Sequence, residues 1–152
     1  MNMARGKKGS SNPIWRLAFL IYCGLMLWLL FGQRLGTSSW SDNVNFEPLK
    51  TIRLYITLLQ GSDGYLVRHA FINLAGNVIM FVPIGYLLPR IWRKFRSFFG
   101  VFIITVIFIV LVESLQFFTG LGSCDVDDLI LNVPGAMIGY LLWKLTGRKA
   151  KN

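Results

Sequence analysis

The seven acidic residues of this 152-residue chain are unevenly placed, and the most unusual stands where solvent is scarce. Glu113 lies inside a long apolar run, three residues before Gln116, so the two share a helical face. Asp128 and Asn132 are four apart, as are His69, Asn73 and Asn77, which again puts each set on one face. An amide or carboxyl in hydrocarbon costs a few kcal/mol unless it meets a partner, so these groups are expected to converge. Glu113 with Asp125, Asp127 and Asp128 would offer four carboxylates to hydrogen-bond donors or to a hard cation such as Mg²⁺, Mn²⁺ or Ca²⁺. The set lacks the His and Cys ligands expected for Zn²⁺. His69 is the only histidine and belongs to another segment, so no nucleophile–base pair is evident.

Each residue also has a purely structural reading. The amides can hydrogen-bond helix to helix, with Gly76, Gly85, Gly135 and Gly139 permitting close approach. Asp125 can cap a helix and place Asp127 and Asp128 in its first turn, where the helix dipole favours carboxylates. His69 beside Arg68 suits a helix start at a membrane interface. Glu113 has no such role available.

The elements that must position these groups are apolar runs at 14–32, 70–88, 98–118 and 129–145, each about long enough to cross a bilayer as a helix. The chain is 54% hydrophobic and only 15% charged, with mean hydropathy +0.53, which excludes disorder and an ordinary soluble domain. The expected fold is all-α, with a basic segment 1–13, a four-helix membrane domain 14–145 and a basic tail 146–152. The first run is expected to be retained as a span, being long for a signal peptide and followed by no clear cleavage site.

Counting outward from the runs, Arg5, Lys7, Lys8, Arg16, Arg90, Arg93, Lys94, Arg96, Lys144, Arg148, Lys149 and Lys151 fall on one side. Arg34, Lys50, Arg53 and Arg68 fall on the other. The positive-inside rule then puts both termini in the cytoplasm, and the net charge of +9 is explained by topology and anionic lipid without nucleic acid. All seven acids avoid the cytoplasmic side, and the embedded polar residues gather in the outer half.

From Pro48, Leu49, Ile52, Ile56 and Leu59 repeat at helical spacing, one residue out of step with Lys50, Arg53, Thr57 and Gln60. This predicts an amphipathic helix about thirteen residues long between the first and second spans, opened by Pro48 and suited to lying in the outer membrane interface or capping the bundle, where it would roof the polar cluster. The stretch 61–64 reads as a turn. Pro83 and Pro134 predict kinks. The pentapeptide at 84–88 recurs at 138–142, which fits a duplicated helix pair or shared packing. Cys23 and Cys124 match no metal or redox spacing, and no disulfide is expected.

Four ordered motifs carry a resemblance: Asn45-Phe46-Glu47-Pro48-Leu49-Lys50-Thr51-Ile52; Asn73-Leu74-Ala75-Gly76-Asn77 through Pro83-Ile84-Gly85; Glu113-Ser114-Leu115-Gln116-Phe117; and Asp125-Val126-Asp127-Asp128 with Asn132-Val133-Pro134-Gly135. Over roughly residues 40–143 the chain resembles the VanZ-like family of small bacterial membrane proteins. The resemblance implies a multi-pass protein of the bacterial plasma membrane. It also implies a link to lowered sensitivity to teicoplanin, a lipoglycopeptide antibiotic. The expected ligand-binding set is Asn45, Asn73, Asn77, Glu113, Gln116, Asp125, Asp127, Asp128 and Asn132, with no catalytic residue assigned. The expected partners are membrane lipids and a lipid-linked cell-wall precursor or lipoglycopeptide. No resident cofactor is expected, a divalent cation at the acidic loop being the one left open. Two alternatives stand beside this non-enzymatic reading: a metal-assisted enzyme acting on lipid or envelope substrates, and a small transporter.

Overall fold

The computed structural model describes residues 12–32, 44–120 and 124–147. The basic segments 1–11 and 148–152, with Arg34 and Asp42, lie outside the described residues.

Helix α1, Pro13–Leu27, opens with Pro at its start and the Asn12 side chain accepting from the Ile14 N–H at 3.1 Å. It runs on into a π-helical turn, Trp28–Gly32. Helix α2, Lys50–Leu59, is ten residues long and begins two residues after Pro48, which lies in the preceding turn. The expected opening at Pro48 is thus corrected. Leu49 caps the helix in the left-handed conformation (φ 68°), which brings the amides of Leu49 and Ile52 onto one acceptor, the Asp127 carboxylate.

Helix α3, Gly64–Ile91, starts six residues before its apolar run because Asp63 caps it, accepting from the Tyr65 and Leu66 N–H groups. Hydropathy marks the part that meets hydrocarbon, whereas the cap marks where the helix begins. After a 3₁₀ turn, Arg93–Phe95, Ser97 caps α4, Phe98–Thr119, and Gly120 ends it at φ 66°. Strands β1, Val44–Asn45, and β2, Cys124–Asp125, form one short parallel pair. Helix α5, Val126–Gly147, follows β2 directly and at 22 residues equals α4, although its apolar run is the shortest of the four. The acids of its first turn hide that length from hydropathy.

Helix α1 together with its π-helical continuation (Pro13–Phe31), α3, α4 and α5 are long and apolar enough to cross a membrane. Their ends alternate. Tyr86 and Arg90 of late α3 meet Trp15 of early α1 and Thr146 of late α5, while Gln116 of late α4 reaches the Leu30 carbonyl. The tightest seam joins α3 to α5. A Cβ added at Gly85, Gly135 or Gly139 would fall 1.8, 2.1 or 2.0 Å from the carbonyl oxygens of Ala136, Val78 and Val82. The repeated pentapeptide therefore has a packing explanation, since its two glycines, Gly85 and Gly139, each press on the other helix. Phe81, Ile84, Leu88, Ile109 and Ala136 form the core beside this seam. Helix α1 buries only Met26 and is held at the edge of the bundle, partly by Tyr22 Oη donating to the Met80 carbonyl at 3.0 Å.

Candidate functional site

At the end of the bundle where α3 and α5 begin, the polar residues occupy two tiers. The inner tier is a cavity of about 110 Å³ lined by Asn77, Glu113, Gln116, Asp128 and Asn132 over an apolar floor that includes Phe81 and Ile109. Glu113 sits six residues, about 9 Å, inside the end of α4. Its Oε2 accepts the Asp125 backbone N–H at 3.0 Å, and its carboxyl shares the cavity wall with that of Asp128. Asn77 Nδ2 donates to Asp128 Oδ1 at 2.7 Å, tying α3 to α5. Gln116 Nε2 donates to the Leu30 carbonyl at 3.0 Å and links α4 to the end of α1. Asn132 is 4% exposed, and its Oδ1 has no hydrogen-bond partner among the described residues.

The outer tier is a clasp. Asp127, fully buried, accepts the backbone N–H groups of Leu49 at 2.5 Å and Ile52 at 3.0 Å. Asp125 accepts from Asn45 Nδ2 at 2.9 Å and from the Thr51 hydroxyl at 2.6 Å, while its Oδ1 also takes the Asp127 N–H at 2.9 Å. Asp125 is thus the cap of α5, with Asp127 and Asp128 in the first turn. These bonds set the rotation of α2. Its half-buried residues are Thr51, Ile52, Tyr55 and Leu58, whereas Leu49, Ile56 and Leu59 of the expected stripe are exposed. The stripe is rotated because Thr51 and the two amides must face α5. The cover directly over Glu113 is β2, with α2 one layer further out.

Among the nine expected ligand-binding residues, the structure brings Asn77, Glu113, Gln116, Asp128 and Asn132 to one cavity. It places Asn45, Asp125 and Asp127 in the clasp. Asn73 does not join the cluster. Its Nδ2 bonds the His69 carbonyl of its own helix at 2.8 Å, and its side chain lies on a neighbouring groove. The four carboxylates are likewise divided, two to a tier, and among the described residues no three His, Cys, Asp or Glu side chains are grouped to hold a metal ion. Sequence reasoning missed Thr51, although it stands in the first motif; its signal was a hydroxyl at the start of an otherwise apolar and basic helix.

Electrostatics follow from this packing. Among the described residues no Lys, Arg or His lines the cavity, so it is a place of acceptors and amides. In the adjoining strand, burial pushes the Cys124 thiol up, and the neighbouring Glu113, Asp125 and Asp128 push it further. Such a cavity can receive hydrogen-bond donors or positive charge and disfavours phosphate or carboxylate.

Four bilayer-length helices around a capped polar cavity define a small multi-pass membrane protein. The family model described as VanZ/LLP1 matches residues 19–147, and the chain belongs to that family. It is similar to Protein VanZ of Enterococcus faecium, at 30% identity over 78 residues, 51% of this chain. That match spans about half of the relative's length, 48%. No solved structure matches the chain.

Proposed function

We propose that this protein binds or masks a lipid-linked ligand at the outer leaflet of the plasma membrane and so lowers sensitivity to teicoplanin-type lipoglycopeptides, without catalysing a reaction. The single observation behind this reading is the gathering of Asn77, Glu113, Gln116, Asp128 and Asn132 around one cavity at the end of the bundle that carries the acids. Five polar side chains from three helices would not be kept in a bilayer-embedded core for stability alone, because apolar replacements avoid the desolvation cost. The uneven charge supports the orientation. Arg16, Arg90, Arg93, Lys94, Arg96 and Lys144 mark the opposite end of the bundle, which the positive-inside rule assigns to the cytoplasm.

The test is expression in a sensitive Gram-positive host, with inhibition by teicoplanin and by vancomycin measured side by side. The expected result is a several-fold rise in the teicoplanin concentration needed, little change for vancomycin, and loss of the effect in Glu113→Gln. No protection, or equal protection by the variant, defeats the reading.

A further inference from the structure

A second space adjoins the polar cavity. A groove of about 460 Å³ runs between α1 and α3, walled by Tyr22, Met26, Ile72 and Ile79 and floored at Gly76. It shares Leu29, Asn77 and Met80 with the polar cavity, so the two lie side by side at those residues. Ile72 and Ile79 on its rim are 53% and 66% exposed on a helix that spans hydrocarbon. The groove therefore opens sideways, toward lipid, whereas the clasp of Asp125 and Asp127 closes the end above Glu113. A ligand with a hydrocarbon tail can enter laterally and present its head to the cavity.

The cavity's chemistry selects that head. Glu113 and Asp128 both line the cavity, and two carboxyls sharing one small space with an apolar floor suit a hydrogen-bond donor or a positive charge beside them. No basic side chain lines the cavity among the described residues. Asn132 adds a deeply buried acceptor, Oδ1, with no partner among those residues. An orphaned buried acceptor is costly until a donor arrives. Three acceptor side chains around one small space match the three N–H donors of a primary ammonium, whose charge also suits the two carboxyls. A quaternary ammonium brings the charge without donors, and a phosphate or sulfate brings the wrong charge.

We infer that the cavity and groove form one site for an amphiphile with a primary ammonium head, the head among Glu113, Asp128 and Asn132 and one hydrocarbon chain along the α1–α3 groove. The inference deepens the proposed ligand-binding role and rests on it for the identity of the site.

Native mass spectrometry of the full chain, carried in phosphatidylcholine nanodiscs and exposed to dodecylammonium, dodecyltrimethylammonium or dodecyl sulfate, tests it. One dodecylammonium should bind per chain, at least about tenfold more tightly than the trimethyl compound, with no retention of the sulfate. Glu113→Gln should reduce that binding about tenfold. Should that variant fail to fold, Asn132→Leu, which keeps the branched heavy-atom outline, removes the amide and adds no charge, should reduce it at least threefold. The tail is tested separately by Gly76→Leu. A Cβ at Gly76 meets nothing within 4 Å, so the variant fills the groove without disturbing a helix contact. It should abolish the advantage of dodecylammonium over butylammonium. Equal binding of the trimethyl compound or the sulfate, or a chain-length preference that survives Gly76→Leu, overturns the inference.

Competition then separates the sources of such a head. Displacement by phosphatidylethanolamine points to a membrane lipid and displacement by teicoplanin to the antibiotic; displacement by neither overturns the lipid assignment. Antibiotic protection in the host without ammonium binding defeats this inference and leaves the proposed function standing, whereas ammonium binding without protection does the reverse.

Discussion

Asp127 shows how a conspicuous acid can be spent on the backbone. Fully buried, it satisfies two amides at the start of α2 that have no other acceptor within their helix. Asp127→Ala should leave both unpaired and cost about 2–4 kcal/mol. Hydrogen exchange read by mass spectrometry should then show lost protection over residues 49–53 while the four long helices stay protected. Retained protection there would mean that the clasp is held by Asp125 and packing alone. Cys124 reports on the tier beneath. Because burial and then Glu113, Asp125 and Asp128 hold its thiol up, the thiolate is scarce near neutrality, and alkylation should be slower than that of an exposed thiol until the pH rises past the ordinary thiol range. Glu113→Gln removes one of the negative neighbours and should shift the rate profile to lower pH. Burial keeps it above that of an exposed cysteine. A rate-against-pH series on both proteins checks this. The acidic and amide cluster was legible at this scale because hydrocarbon forbids isolated polar groups. Its division into cavity and clasp was not, since nothing in the spacing of Asp125, Asp127 and Asp128 says which carboxylate turns toward α2 and which toward α3.

At the scale of elements, the α3–α5 seam sets the cavity's shape, because Asn77 reaches Asp128 only if the two backbones touch nearby. Gly135→Ala puts a methyl about 2.1 Å from the Val78 carbonyl, where no flexible side chain can yield. The helices must separate, and a loss of about 1–3 kcal/mol or more is expected, as for other overpacked cores. Gly24→Ala, whose added Cβ meets nothing within 4 Å, should leave stability within about 0.5 kcal/mol. Thermal unfolding of both variants in one detergent decides the comparison, and equal midpoints would contradict the seam. The four long helices were readable from hydropathy alone. Their starts were not: α3 begins at its Asp63 cap and α5 behind Asp125, and both caps precede the apolar signal. The face of α2 departs from its apolar stripe for a related reason, since polar tethers through Thr51 and the Leu49 and Ile52 amides outweigh its apolar periodicity.

For the whole molecule the question is which end faces out, because a lipid-linked ligand and an external antibiotic are met only from that side. Among the described residues the ends differ in kind. One carries Arg16, Arg90, Arg93, Lys94, Arg96 and Lys144 with no acid; the other carries Glu47, Asp63, Asp125, Asp127 and Asp128 alongside Lys50, Arg53 and Arg68. Six cations concentrated at one end bias insertion strongly, since arginine and lysine near span ends resist translocation while acids matter little. The two cysteines make this measurable without mutation. Cys124 lies in β2 at the acidic end, and Cys23 lies within α1 on an apolar cavity of about 280 Å³. A membrane-impermeant maleimide applied to intact cells at raised pH, so that the slow Cys124 thiol reacts, should label Cys124 and spare Cys23, with mass spectrometry locating the adduct. Labelling of Cys124 only after permeabilisation would turn the cavity toward the cytoplasm. The lateral groove would then draw on inner-leaflet lipid, and protection against an external antibiotic would lose its physical basis while the amphiphile site kept its own.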